Sequence, residues 1–391
     1  MPKPLGKTQF QPHVPRSVLA VLMGAGCLSS AVGAMVAPVF PEIADQLNLG
    51  NQWTGVLVST HTLTTALASP VFGLLANRLG SSRILVGCLL AYGVFGTLGM
   101  VAQSFWGLLA SRALVGAASG GIGAGSIGIL SSLYSGEART RMMGYATSAL
   151  ATATVIFPIL GGWLGLYHWR WAFGLYLLAF PVALGGLLAL SFRQQSPGLV
   201  NLEQTGELRQ LLRRRRVGSL LLALAVASAI FYVVVVYGPL YLKAAIGATS
   251  FFNGCVLAAR SVGAAVIAAI GAARVSKALG ARGAIAAGFL LMAVSLATIP
   301  NVLIPSLMLL AGLVFGIGFG LVMPNFYSAL ADLSPASQRS GLLAIGTGCA
   351  SLGQFLSPLI FGPVWSEFQG GVFYTAALVA LAIGSFNWIR R

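Results

Sequence analysis

Three basic side chains stand inside long apolar runs: His61, Arg112 and Arg260. A charge in such a setting is costly, and it is normally turned into a helical bundle toward a partner, a backbone carbonyl or a ligand. His61 is surrounded by Thr60, Thr62, Thr64 and Thr65. An imidazole titrates near pH 6.5 and can exchange a proton under physiological conditions; the plainer reading is a hydrogen-bonded packing residue among those hydroxyls. Arg112 lies near one end of its run and either snorkels to the interface or meets a substrate, a carboxylate or carbonyls inside the bundle. Arg260 carries the same two readings. If both arginines face one cavity, that cavity is positive and favours an acidic substrate. If carbonyls satisfy both, the cavity is apolar and aromatic, with Phe231, Tyr232, Gln354 and Phe355 as substrate-binding walls suited to a lipophilic ligand.

The seven carboxylates lie elsewhere. Glu42 and Asp45 follow the first apolar run, while Glu137, Glu203, Glu207, Asp332 and Glu367 fall in loops or at helix ends. A coupled proton is usually carried by a buried carboxylate, because desolvation raises its pKa toward neutrality. None maps to the middle of a run here. The candidates for proton coupling are therefore His61, and Glu42 if the first helix dips inward. No Ser/His/Asp constellation or metal-ligand cluster accompanies them, and Cys27, Cys88, Cys255 and Cys349 are isolated in apolar runs without a C-x-x-C pair. No covalent enzyme mechanism, cofactor or metal is expected.

The elements that must hold these residues follow from composition. Of 391 residues, 57% are hydrophobic and 8% charged, with a mean hydropathy of +0.88, against about 25% charged residues in a soluble domain. An ordinary soluble enzyme is excluded. The 23 Lys and Arg give a net charge of +16, but a nucleic-acid surface needs a solvated basic face that so apolar a chain cannot offer. Basic loops flanking membrane helices account for the charge instead. Apolar runs fall at about 17–40, 53–75, 84–103, 106–133, 142–165, 171–192, 217–241, 252–273, 283–299, 303–327, 341–364 and 372–389, each able to span hydrocarbon at about 1.5 Å per residue. The first run lacks a small-residue cleavage pattern and reads as a spanning helix.

The fold class expected is an all-α membrane protein of twelve transmembrane helices in two six-helix bundles. Residues 1–16 form an N-terminal tail, 17–192 the first bundle, 193–216 a polar linker and 217–391 the second bundle. Placing both termini in the cytoplasm puts 19 of the 23 basic residues on that side, among them Arg16, Arg78, Arg83 and the run Arg213 to Arg216, as the positive-inside rule requires. A multi-pass monomer of a plasma or inner membrane is expected, its partners being the lipid bilayer and a small-molecule substrate, with protons as a coupling ion and no nucleic acid.

The halves also repeat. A shift of 200 positions aligns Leu79-Gly80 with Leu279-Gly280, Gly116 with Gly316, Gly120 with Gly320, Arg139 with Arg339, Pro158 with Pro358 and Gly162 with Gly362. Two similar halves imply a pseudo-two-fold axis along the membrane normal and a substrate site between them near the midplane.

Four segments then carry a resemblance. Gly73-Leu74-Leu75-Ala76-Asn77-Arg78-Leu79-Gly80-Ser81-Ser82-Arg83 resembles the loop signature of the major facilitator superfamily, and Leu108 to Gly116 around Arg112 is similar to its second motif, whose Arg lies within the membrane. Phe157-Pro158-Ile159-Leu160-Gly161-Gly162 resembles the antiporter motif, although a proline kink among small residues has a packing explanation as well. Pro38 to Ala44 and Trp169 to Phe173 resemble the twelve-helix drug:proton antiporter branch. The resemblance implies alternating access and a conformational latch built from Asn77, Arg78, Gly80, Arg83, Glu137 and Asp332. Two departures stand out: Asn77 replaces an acidic residue, which implies a weaker latch with Arg78 turning to Glu137 or Asp332, and a helix 1 carboxylate known from several members is missing near Ala34. The expected function is proton-coupled efflux of a small amphiphilic compound or drug. The alternative is a facilitator or uptake carrier for a small organic anion bound by Arg112 and Arg260.

Overall fold

The computed structural model describes residues 15–133, 136–190, 210–302, 304–335 and 338–389. Most of the expected N-terminal tail and of the 193–216 linker, with Glu203 and Glu207, lies outside them. Among the described residues all regular structure is helical. The first half comprises α1 (Arg16–Ala31), α2 (Phe40–Gln46), α3 (Asn51–Leu79), α4 (Ser81–Val101), α5 (Phe105–Leu133), α6 (Gly136–Gly165) and α7 (Ala179–Ala189), the last led in by a 3-10 segment, Trp169–Leu178. The second comprises α8 (Arg215–Ile246), α9 (Ser250–Val266), α10 (Ala272–Thr298), α11 (Pro305–Asp332), α12 (Arg339–Glu367) and α13 (Gly371–Ile389), with a π turn, Ile267–Gly271, between α9 and α10.

Nine helical stretches among the described residues are long and apolar enough to cross a bilayer. The expected twelve crossings are consistent with that number. One stretch, Ser250–Asn301, is 52 residues long and turns at Gly280, where φ is 74°. The 29 residues of α3 suffice in length but are diluted by the threonines around His61, and α1 with the irregular stretch that follows it to Val39 makes one interrupted crossing. Gly80, the counterpart of Gly280 under the 200-residue shift, has φ 92° and separates α3 from α4. Side chains rarely adopt such angles, and glycine makes both turns without strain.

The interruption of the first crossing releases backbone groups inside the membrane. Beyond Ala31 the chain leaves the α-helical ladder: Val36 N donates to Gly33 O rather than to Val32 O, and Pro38 and Pro41 cannot donate at all. Irregular backbone at this depth must be satisfied by protein. Val32 O accepts from Arg112 Nη2 at 3.1 Å and from Tyr176 OH at 2.6 Å, and Pro38 O from Asn253 Nδ2 at 3.3 Å.

The two halves meet at two equivalent crossings. In one, α6 packs along α9, and Gly254 abuts the carbonyl of Pro158 so closely that a Cβ there would collide. In the other, α3 packs along α12, and a Cβ on Gly55 would collide with Pro358. The two prolines are related by the 200-residue shift and the two glycines by a shift one residue shorter. Small residues at these points allow backbones to approach and maximise packing where lipid supplies no hydrophobic drive. A third pair has the same relation within the halves: Gly116 of α5 lies against His61 O of α3, and Gly316 of α11 against Arg260 O of α9. His61 and Arg260 therefore occupy equivalent positions.

Candidate functional site

A cavity of about 310 Å³ lies between the halves. From the first half it is lined by the broken helix 1 (Ser29, Ser30, Gly33, Ala34), by His61, Thr62 and Thr65 of α3, and by Ser119, Thr154 and Pro158. The second half contributes Phe231, Tyr232 and Val235 of α8, Leu257 and Arg260 of α9, and Ser351 and Gln354 of α12. The hydroxyls are largely turned back onto their own helices: Thr62 donates to Ser59 O at 2.7 Å, and Thr65 to His61 O at 2.7 Å and to Gly116 O at 2.8 Å. No Asp or Glu is among the lining residues described.

Arg112 stands behind this wall. It is 1% exposed and does not line the cavity; its Nη1 donates to Tyr176 OH and its Nη2 to Val32 O. His61 Nδ1 lies 3.2 Å from Arg112 Nη2 and 2.8 Å from Val58 O. One ring nitrogen cannot serve both. With a proton on Nδ1 it donates to Val58 O and leaves Nη2 facing another donor; without one it accepts from Arg112. The threonines expected to partner the imidazole bond elsewhere. Tyr232 reaches across from the other half and donates to Val58 O at 3.1 Å.

Arg260 is the opposite case. It is 8% exposed, its guanidinium lies 4.2 Å over the ring of Phe231, and Phe231 stacks in turn on Phe319 with centroids 4.3 Å apart. Its Nη1 is buried without a hydrogen-bond partner among the described residues. Of the expected substrate contacts, then, the structure brings Phe231, Tyr232, Arg260 and Gln354 to the cavity, and leaves Arg112 and the half-buried Phe355 outside its lining.

Beyond the first apolar run, on the face opposite the basic loops, Lys243 of α8 bridges the halves, 2.7 Å from Asp45 Oδ2 and 3.9 Å from Glu42 Oε1. Glu42 is thus not in the cavity. Burial pushes its carboxyl above the usual carboxylate range, more strongly than its backbone hydrogen bond and Lys243 pull it down. Ser250 Oγ donates to Gly162 O at 3.1 Å on the same side. These contacts, with the two Pro/Gly crossings, close the cavity toward that face.

The sequence profile of the Major Facilitator Superfamily matches residues 22–254 and 239–391. The chain belongs to this superfamily. Multidrug resistance protein 1 of Bacillus subtilis is 28% identical over 173 residues, 44% of each chain. Multidrug resistance protein MdtG of Yersinia enterocolitica is 31% identical over 147 residues, 35% of this chain and 34% of that one. The matched segments span from about a quarter to under half of the length of the curated relatives. A crystal structure of a point mutant of the nucleoside transporter NupG superposes with a TM-score of 0.81 over 95% of this chain and 99% of that one at 10% identity, a likeness of fold. The protein is a multi-pass membrane protein of transporter fold, similar in sequence to the drug:proton antiporter branch.

The superfamily motifs acquire physical roles in this frame. Pro158 and Gly162 form the contact of α6 with α9, and Gly161 lies against Met35 O of the broken helix 1. The loop motif is placed only in part: Gly80 makes the left-handed turn, Arg83 Nη1 donates to Leu79 O at 3.4 Å, and Arg78 and Asp332 are exposed, while the side chains of Asn77 and Glu137 lie outside the described residues. Sequence reasoning missed Tyr176, Tyr92 and Lys243. A tyrosine within an apolar run and a cation on the acid-bearing face are the signals that were there to read.

Proposed function

We propose that the protein is a secondary transporter that exports a small amphiphilic compound from the cytoplasm by alternating access, coupled to protons. The observation that carries this reading is the cavity between the halves, sealed on one face and walled by Phe231 and Tyr232 opposite hydroxyls and His61. Residues 17–192 and 217–391 would rock as two bodies about it. The basic loops orient the closed face outward in a plasma membrane, with both termini inside, and the multidrug resistance names of two relatives agree with export.

Coupling is assigned to His61. Its Nδ1 lies within reach of both Val58 O and Arg112 Nη2; a doubly protonated ring carries a hydrogen there, meets Arg112 as a second donor and would displace it from Val32 O and the helix 1 break. That ties proton occupancy to the wall of the cavity. Proteoliposomes with an imposed pH gradient test this: substrate export accelerates with the gradient in the wild type and loses that dependence in His61→Gln. Flux indifferent to the gradient in the wild type overturns proton coupling, and a fully coupled His61→Gln overturns the assignment to His61.

A further inference from the structure

The two intramembrane arginines form an internal comparison. Arg112 has acceptors for both terminal nitrogens within the protein, its Nε alone being unpartnered among the described residues. Arg260, also buried, lines the cavity with its Nη1 unpartnered among the described residues and its guanidinium carbon 4.2 Å from the centre of the Phe231 ring. A buried cation without an acceptor is costly, and none of the lining side chains described is an Asp or Glu. An acceptor brought by the cargo answers that need, since guanidinium edges take carboxylates in a planar, bidentate manner.

A second cavity, also about 310 Å³, adjoins the first and shares Ser29 and Ser30 with it. It runs between α1, α5 and α6, and Leu22, Met23, Leu130 and Met142 make its wall apolar and adaptable. The two cavities thus meet at Ser29 and Ser30, and the second is the more apolar.

We infer that the cargo is an amphiphilic monoanion whose carboxylate is held by the edge of Arg260 while its apolar body lies along the second chamber beyond Ser29 and Ser30. This rests on the export reading and narrows it to acids. Neutral or cationic compounds of the same shape leave Arg260 unpaired and bind less well.

The test is calorimetric titration of the purified full-length protein with 4-hexylbenzoate, its neutral amide, benzoate and 4-hexylphenyltrimethylammonium. The wild type is expected to bind the acid at least tenfold more tightly than the amide, the cation or benzoate. Arg260→Gln removes the difference between acid and amide, and Arg260→Lys keeps part of it. An acid bound no better than its amide or the cation, or an acid preference unchanged in Arg260→Gln, overturns the Arg260 site; the wild-type comparison decides even if the variant does not fold. Benzoate bound as tightly as its hexyl derivative overturns the second chamber. Flux of the same compounds in liposomes is read separately: absence of export for all of them sinks the transport reading, whereas the affinity order alone decides the acid site.

Discussion

At the scale of single residues, the site turns on who satisfies whom inside the bilayer. Tyr176 OH is the pivot of the Arg112 cluster, donating to Val32 O and accepting from Arg112 Nη1. Tyr92 OH makes one bond, to Leu28 O at 2.7 Å. Hydrogen bonds to charged groups contribute about 1.5–3 kcal/mol and neutral ones about 1 kcal/mol. Tyr176→Phe is therefore expected to destabilise the protein by roughly 2–3 kcal/mol and Tyr92→Phe by roughly 1 kcal/mol, an order that thermal unfolding in one detergent reads directly; equal losses would show that Tyr176 does not anchor Arg112. His61, Arg112 and Arg260 were legible from type alone, because a charge in an apolar run demands an explanation. Their partners were not. Tyr176 is 64 positions from Arg112, and the acceptor they share is a carbonyl freed by a break in helix 1, which only the three-dimensional path reveals. That is why Arg112, read as a cavity residue, turns out to stand behind the wall.

At the scale of elements, prolines and glycines decide where the halves touch. Composition and run length were enough for the helices, and the 200-residue repeat paired Gly80 with Gly280, both of which the structure places at positive φ. The pairing of Pro158 with Gly254 and of Pro358 with Gly55 was hidden, since glycine is abundant and nothing in one helix names its neighbour. Backbone contact at these points leaves no room for a side chain, and overpacking a tight contact forces it apart. Gly254→Leu or Gly55→Leu is expected to wedge open the face that is closed here while leaving each half folded. Spin labels at Asn48 and Ala244, on the two sides of that face, would report a shift of the major population to longer distance. An unchanged distance distribution would mean that the crossings do not hold the face shut.

At the scale of the whole molecule, closure of that face is also a matter of charge. Few acids exist in the chain, and two of them, Glu42 and Asp45, meet Lys243 across the halves. The ion pair to Asp45 is exposed, and such pairs contribute little by themselves. Glu42 adds a dependence on pH. Its half-buried carboxyl sits above the ordinary range, chiefly through burial, whereas opening the face would return it to water and to an ordinary pKa of about 4.3. The closed form therefore holds its proton to higher pH than the open form. By linkage, this contribution to closure is fully present below the ordinary value and fades as pH rises through the raised one. An acidic medium on that side favours closure, so that a proton-rich exterior would return the carrier to the state that loads from within. In a distance measurement across the same two labels, the closed population should grow as pH falls through the carboxylate range. Glu42→Gln, which keeps the shape and removes the titration, should hold the population constant there. A variant that titrates as the wild type does would place the pH response on another group.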